Sequence, residues 1–589
     1  MAAFFVRQGW WCFAVPCFLL LAADLAQAAP AELAPVVSSP QVAEEGLRRQ
    51  EERERLRQQP LQPKADVLTP EIPSRLSTDL PDESPCFVIH EIALTSGDAQ
   101  ALSWLGDTAQ PFLHRCAGIE GLRKIAATLN AKLIEFGYAT SRVSLPEQNL
   151  KEGRLVLRLH VGRVAAVRMV TPPAREGGMA ADESWGTWRN AFPVHKGDIL
   201  NVRDLEQGLE QMKRLPSQSV TTRLEPGPRA DTSVVTLVRQ TGRLSDRVRG
   251  GVILDNSGSR TLGRTQLFGY ATFDNPLGLN DMLNLNASSN TEQPDPDHRS
   301  QSLGGSYSVP FGYSTITLTR SHSRFAQMVQ GTTARFLSSG KSDITEARAH
   351  HTAFRTASAK FGIYAAVSTR RANSYLDDVE LIVQRRRTTY LEIGITSRQL
   401  LGRGSVDVDL GYRRGVSWGD AQDDLPTAAE GGLTLRPTIW MLNAAYHQPF
   451  TLSGRPFQYT TTLRGQHTGD TTLVTDQIAI GHRWSVRGFD GDSVLLAESG
   501  FFHRNDLSTP VSWVRGVDTA AYLGIDHGRV WGASDAFLIG HRLAGAALGM
   551  RGKWKTLQFD AALGAPLYKP DGFKTGNWNP YLSVTYVFG

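Results

Sequence analysis

The sequence predicts small α+β modules followed by a transmembrane antiparallel β-barrel of about 16 strands. Three observations predict it. The N-terminus has the layout of an export signal. A strand-helix-strand-strand pattern then occurs twice in tandem. From about Ser245 to the C-terminus, helical periodicity gives way to short runs in which apolar and polar residues alternate.

The export signal comes first. Arg7 precedes an apolar run from Trp10 to Ala23, broken by Pro16 and followed by the small-x-small site Ala26-Gln27-Ala28. This run is short for a membrane anchor and reads as a secretory signal peptide over residues 1–28. No later stretch approaches the ~18 consecutive apolar residues of a spanning helix. Cys12 and Cys17 leave with the signal. Cys86 and Cys116 remain, and an even pair in an exported chain reads as a disulfide. Closing that loop of ~30 residues stabilises its module by roughly 3–4 kcal/mol on the chain-entropy model. No Cys-x-x-Cys or His-x-x-x-His spacing accompanies the pair, so no metal is expected. A net charge of +5 over 589 residues, without a dense basic cluster, gives no reason to expect nucleic acid as a partner.

Residues 29–59 form an N-terminal segment whose stretch from Val42 to Gln59 reads as a charged helix. Glu44 and Arg48, Glu45 and Arg49, and Glu51 and Arg55 are spaced as i,i+4 pairs. Apolar residues are nearly absent, so the helix has no face for a hydrophobic core and needs a polar home. Pro60 is expected to stop it. Residues 60–85 contain six prolines and read as an extended flexible linker.

The first module spans residues 86–162. Phe87 to Leu94 reads as a strand. Leu122, Ile125, Leu129, Leu133 and Phe136 step by three or four along one helical face, and Gly137 stands where a C-cap glycine belongs. Strands Thr140 to Leu145 and Arg154 to Val161 complete it. The second module, residues 163–242, repeats the plan. Val164 to Val170 is a strand, Asn201 caps a helix marked by Leu205, Leu209 and Met212, and strands follow near Val220 to Glu225 and Ser233 to Arg239.

In the remainder, residues 243–589, Leu283, Leu285 and Ala287 alternate with Asn284 and Asn286. Leu391, Ile393 and Ile395 flank Glu392 and Gly394. Val406, Val408, Leu410 and Tyr412 flank Asp407, Asp409 and Gly411. A soluble sandwich alternates too. The length of the pattern, the charges recurring on one face and the export signal favour a lipid-facing exterior around a wet lumen. About 345 residues at ~22 per strand and connection give roughly 16 strands. The chain ends Tyr586-Val587-Phe588-Gly589, one glycine past the terminal aromatic usual in such barrels.

Several motifs occur in order. Gly137-Tyr138-Ala139-Thr140-Ser141-Arg142 and Leu145-Pro146-Glu147-Gln148-Asn149-Leu150 close the first module. Asp255-Asn256-Ser257-Gly258-Ser259 and Asp274-Asn275-Pro276-Leu277-Gly278-Leu279 lie in the opening hairpins. Val486-Arg487-Gly488-Phe489 and Gly524-Ile525-Asp526-His527-Gly528 follow. Together they make the chain resemble the two-partner secretion transporters, also called haemolysin secretion/activation proteins, of the superfamily that includes the barrel-assembly protein BamA. The resemblance covers nearly the whole mature chain. It implies a plug helix at 42–59, two periplasmic POTRA domains at 86–162 and 163–242, and a 16-stranded outer-membrane barrel. It also implies a loop tip, Val486 to Phe489, folded into the lumen and met by Asp526 on the wall. An arginine in a polar lumen holds a carboxylate bidentately, so Arg487 and Asp526 are the expected lock. Tyr138 and Arg142 are candidates for binding the partner.

The expected partners are a secreted exoprotein of the haemolysin, adhesin or toxin kind, outer-membrane lipid, and the barrel-assembly machinery for insertion. No cofactor and no catalytic residue are expected. Gly491-Asp492-Ser493-Val494 resembles the start of a lipase motif but lacks a Gly-x-Ser-x-Gly elbow. Gly340-Lys341-Ser342 mimics the end of a P-loop, but Arg335 stands where a glycine is required. An outer-membrane assembly insertase usually carries more POTRA domains, and a passive porin or receptor has no need of tandem periplasmic modules.

Overall fold

The computed structural model describes residues 39–61, 67–69, 78–95, 102–171, 185–292, 297–330, 334–512 and 516–589. The expected signal peptide at 1–28 lies outside the described residues, as do parts of the 60–85 linker.

The first module has a three-stranded sheet. Arg154–His160 is central, parallel to Glu91–Thr95 and antiparallel to Arg142–Ser144. Leu155, Leu157 and Leu159 point to one face, as strand alternation requires. There they meet Leu122, Ile125, Leu129 and Leu133 of helix α3, Ile119–Glu135. An additional short helix, α2 (Trp104–Ala109), covers the same core with Leu105 and Ala109. The single strand expected from Phe87 to Leu94 is broken. Phe87–Val88 pairs with Cys116–Ala117, next to the Cys86–Cys116 disulfide, and the buried Ile89 separates it from Glu91–Thr95. Phe136 does not join the helical face. It is 51% exposed and lies against Trp104 at 4.5 Å between ring centroids. Gly137 takes φ +92°, and its N–H reaches the Ile134 carbonyl, ending α3 as expected.

The end of the linker is not free. Leu80 packs on the first core, and the Thr78 carbonyl accepts a bond from Arg115. Helix α3 begins at Gly118–Ile119 without a side-chain cap of its own. Glu83 supplies one, its carboxylate accepting from the backbone N–H groups of Gly118, Glu120 and Gly121 at 3.0, 2.8 and 2.7 Å.

The second module places Thr232–Thr241 between Arg163–Val170 and Gln218–Pro226, under helix α4 (Val202–Lys213). Asn201 caps α4 by accepting from Arg203 N at 2.8 Å. This module sits on one rim of the barrel. Trp185 donates to the Asn275 carbonyl, Gln211 to the Gly312 carbonyl, and Glu210 binds both Arg355 and Lys360 at 2.8 Å.

Sixteen long antiparallel strands close the barrel among the described residues; the first, Val248–Asp255, pairs with the last, Asn579–Phe588. A two-residue strand, Val379–Glu380, adds to one outer hairpin. The alternation resolves as expected. Leu285, Leu303, Ile316, Leu318, Ile393 and Ile395 face outward and exposed, while Asn284, Asn286, Ser288 and Glu392 face inward and buried. An apolar exterior and a polar interior are what a lipid-embedded barrel requires.

Glu83 gives a test of the module. Partial removal from water pushes its carboxyl up, but the three N–H donors outweigh that and hold it below its ordinary value of 4.5. A lowered folded value contributes stability above the unfolded value, and that contribution is lost as pH falls through the folded one. Glu83→Gln should therefore speed hydrogen exchange at the Gly118, Glu120 and Gly121 amides at neutral pH. The difference from wild type should vanish on acidification below pH 4.5. Equal protection in both proteins at neutral pH would contradict the cap.

Candidate functional site in the barrel lumen

Two elements occupy the lumen. The first is α1, Ser39–Gln58, continued by a 3-10 turn Gln59–Leu61, so Pro60 tightens the helix rather than stopping it at once. Of the three expected internal pairs, Glu45–Arg49 forms at 2.7 Å. The other two acids turn to the wall instead: Glu44 faces Arg386 at 3.7 Å and Glu51 faces Arg370 at 3.2 Å. Arg48 is held within the helix by Glu45 and Glu52 at 2.7 and 2.6 Å. Arg53 donates to Gln266 and Ser300, Arg57 to Asp255 at 3.1 Å, and Gln50 accepts from Ser300 at 2.6 Å. A small apolar stripe exists where none was expected. Ala43 and Leu47 pack with Leu262, Phe325 and Ala372.

The second element is the connection between Arg455–His467 and Ser499–Val511. It carries a short hairpin, Ile478–Ile480 with Leu495–Ala497, and turns its tip inward. Val486 and Phe489 are fully buried with Ile480, Val530, Leu543 and Phe573; the Phe489 and Phe573 rings meet edge-on at 5.5 Å. Between them Arg487 points the other way. Its Nε and Nη2 donate to the two oxygens of Asp526 at 2.6 and 2.7 Å, its Nη1 to Asp506 at 2.7 Å, and its backbone N–H to Asp526 at 3.0 Å. Asp526 is fully buried and Arg487 5% exposed. Arg504 stands 3.9 Å from Asp526 and donates to the Trp484 carbonyl, so two arginines balance two aspartates.

The wall is shaped to admit this tip. In Gly524-Ile525-Asp526-His527-Gly528 the inward positions are 524, 526 and 528, by the two-residue period of a strand. A Cβ on Gly524 would overlap the Arg487 guanidinium, and one on Gly545, which pairs with Asp526, would overlap the Arg487 carbonyl. Gly488 takes φ +106°, a region that disfavours side chains. Its N–H donates to Tyr581 Oη at 2.8 Å and its carbonyl accepts from Asn579 at 2.6 Å. The expected lock residues Val486, Arg487, Gly488, Phe489 and Asp526 are thus brought together. Asp506, Gly545, Asn579 and Tyr581 complete the arrangement and were not foreseen. The inward alternation of Arg504 and Asp506 was a readable hint for one of them.

The other candidates lie elsewhere. Tyr138 is half-buried against Trp104, with ring centroids 6.2 Å apart. Arg142 is exposed and pairs with Asp231 of the second module at 3.5 Å, where His160 also approaches. Packing and the junction between modules account for both contacts. Beside the last strands, at the rim that carries the modules, a cavity of about 580 Å³ is lined by Asp518, Arg551, Lys553, Gln558 and Asp560, among others. Among the described residues no cluster fit for a metal occurs.

The close fit at Gly545 is testable. Gly545→Val should expel the tip, since overpacking a filled site costs about 1–3 kcal/mol or more. Trypsin should then cleave after Arg483 or Arg487 in the folded variant and not in the wild type. Equal resistance would contradict the fit.

Comparison with known proteins agrees with this architecture. The family model described as haemolysin secretion/activation protein ShlB/FhaC/HecB matches residues 231–552. A ShlB-type POTRA domain matches residues 87–162 and a POTRA domain residues 164–226. The chain is 35% identical over 528 residues to the outer membrane transporter CdiB-2 of Burkholderia pseudomallei, covering 86% of this chain and 88% of the relative. It is 28% identical over 496 residues to the outer membrane transporter CdiB of Dickeya dadantii, covering 84% and 85%. The solved structure of CdiB from Escherichia coli superposes with a TM-score of 0.78 at 26% identity, covering 95% of this chain and all of that one. The chain belongs to the ShlB/FhaC/HecB family of haemolysin secretion/activation proteins: it is an outer-membrane two-partner secretion transporter whose POTRA domains lie in the periplasm.

Proposed function

We infer that this transporter captures one secreted exoprotein, of the haemolysin, adhesin or toxin kind, through its first POTRA domain and passes it unfolded through the barrel. The observation that carries this reading is the filled lumen. A helix and a loop tip occupy the path, and polar contacts hold most of the helix. A charged helix that leaves such a site regains its hydration, so its net cost of departure is small. An apolar helix would forfeit about 25 cal/mol for each Å² it exposed. The module-side cavity offers charged side chains, Asp518, Arg551 and Asp560, beside apolar surface from Pro510, Ala520 and Phe559, a mixed lining that suits an unfolded chain at entry.

Strand addition is the capture mode the first POTRA domain favours. Glu91–Thr95 is hydrogen-bonded to Arg154–His160 on one side, and its other edge is open among the described residues. Arg142 and Tyr138 flank the opposite edge of the sheet. In this reading the barrel-assembly machinery inserts the chain, outer-membrane lipid surrounds it, and no catalytic step or cofactor enters. Refolding of the partner outside the cell supplies direction, because a folded domain does not slide back.

Two outcomes test the reading. Removing residues 86–162 should abolish co-purification of the partner's N-terminal secretion domain; undiminished binding would reject capture by this domain. Arg487→Ala and Asp526→Ala each break a buried bidentate pair, which costs about 3–5 kcal/mol because one charge is left uncompensated. Both variants should still run as folded, heat-modifiable barrels yet lose secretion of the partner. Secretion at the wild-type level would remove the pinning role.

A further inference from the structure

Three neighbouring strands are longer than a bilayer requires. Ser314–Gln330, Arg335–Arg355 and Ala359–Leu376 run for 17, 21 and 18 residues, whereas ~10 suffice to span. Their surplus lies at the end away from the POTRA domains, on the cell-surface side. The outward positions change character there. Nearer the POTRA end they are apolar: Ile316 and Leu318, then Ile363, then Ile393 and Ile395 on the next strand, Arg386–Leu401. Directly above Leu318 comes Arg320. The rows above pair Arg371 with Arg387 and Arg324 with Lys341. All five cations are exposed.

These pairings are unfavourable in the protein alone. Side chains directly opposite across antiparallel strands have Cβ atoms ~4.5–5.5 Å apart, and like charges there repel. The compensation within the chain is partial. Asp420 binds Arg371 at 2.6 Å, and Asp343 binds His322 at 3.0 Å. Arg324 donates to the neutral Gln301, and Lys341 lies over the Tyr375 ring at 5.6 Å. Arg320 and Arg387 make no side-chain hydrogen bond or ion pair among the described residues. Two facing cation pairs, one row apart, therefore border the lipid-facing apolar band without enough acid to balance them.

We propose that this patch is a binding site for a phosphorylated glycolipid of the outer leaflet. Its phosphates bridge the facing pairs Arg371–Arg387 and Arg324–Lys341, and its acyl chains lie on Leu318, Val367 and Leu391, which share one outward row of the sheet four residues nearer the POTRA end than Arg371 and Arg387. Continuity with the lipid-facing band selects a lipid over a soluble anion, because the same strands supply both the cations and the apolar floor. The guanidinium groups bind phosphate oxygens through paired N–H donors.

The test uses the full-length protein in detergent and native mass spectrometry with diphosphoryl lipid A as the probe. Wild type should retain the lipid. Arg387→Gln/Lys341→Gln should weaken its apparent affinity by about tenfold or more, the loss of at least one charge-assisted contact. Arg403→Gln/Arg455→Gln, which removes exposed cations at the opposite rim, should leave it unchanged. On the wild-type protein, monophosphoryl lipid A should bind more weakly than the diphosphoryl form, an arm that needs no variant. Equal affinity across the variants, equal binding of the two lipids, or equally tight binding of the unacylated glucosamine disaccharide bisphosphate would each overturn the proposal.

Discussion

A barrel that is apolar outside must be polar inside, and that constraint governs everything placed in the lumen. Strand alternation puts Asn286, Ser300, Ser342 and Arg370 on the inner wall. Whatever fills the lumen must satisfy those groups, since an unpaired buried polar atom costs about 1–3 kcal/mol. Helix α1 does so with side chains that would be useless in a hydrophobic core. Glu51 meets Arg370 and Ser342, Arg53 meets Ser300, and Arg57 meets Asp255. On the proposed function the same chemistry lets α1 leave, because water replaces each of these contacts.

The loop tip is held by a different balance. Val486 and Phe489 sit in an apolar cluster built mostly from the loop itself and the adjoining wall. Arg487 alone meets the charged part of the same wall, where Asp526 and Asp506 receive it. Glycine at 524 and 545 makes the depression, and Tyr581 and Asn579 hold the backbone of Gly488. The last barrel strand thus contributes to the lock as well as to closure. This links placement of the last strand to seating of the loop, since Asn579 and Tyr581 are held opposite Gly564 and Ala562 of Leu557–Tyr568.

Much of this was legible in the residues. Two-residue periodicity found the lipid face, and the spacing of Leu122, Ile125, Leu129 and Leu133 found α3. The ordered motifs found both halves of the lock. What stayed hidden had physical reasons. Glu44 and Glu51 have ideal helical partners in Arg48 and Arg55, and only the enclosing wall explains why they choose Arg386 and Arg370 instead. Glu83 lies in a proline-rich stretch that reads as linker, and its capping of α3 depends on a contact 35 to 38 residues away. Tyr581 and Gly545 carry no local signal, because their roles come from contacts with the distant loop tip at Arg487 and Gly488. Tyr138 and Arg142 were conspicuous in sequence, yet their contacts are with Trp104 and Asp231.

On the proposed function, α1 closes the path by polar contacts and must leave it for the partner to pass. Tethering tests this most directly. Cysteines at Gln50 and Ser300, whose side chains touch at 2.6 Å in the lumen, can be joined by a short cleavable thiol cross-linker. Cys86 and Cys116 are already paired and do not compete. Cross-linking should halt secretion of the partner, and reductive cleavage of the linker should restore it. Undiminished secretion from the fully cross-linked protein would show that the partner passes with α1 in place and would contradict the account.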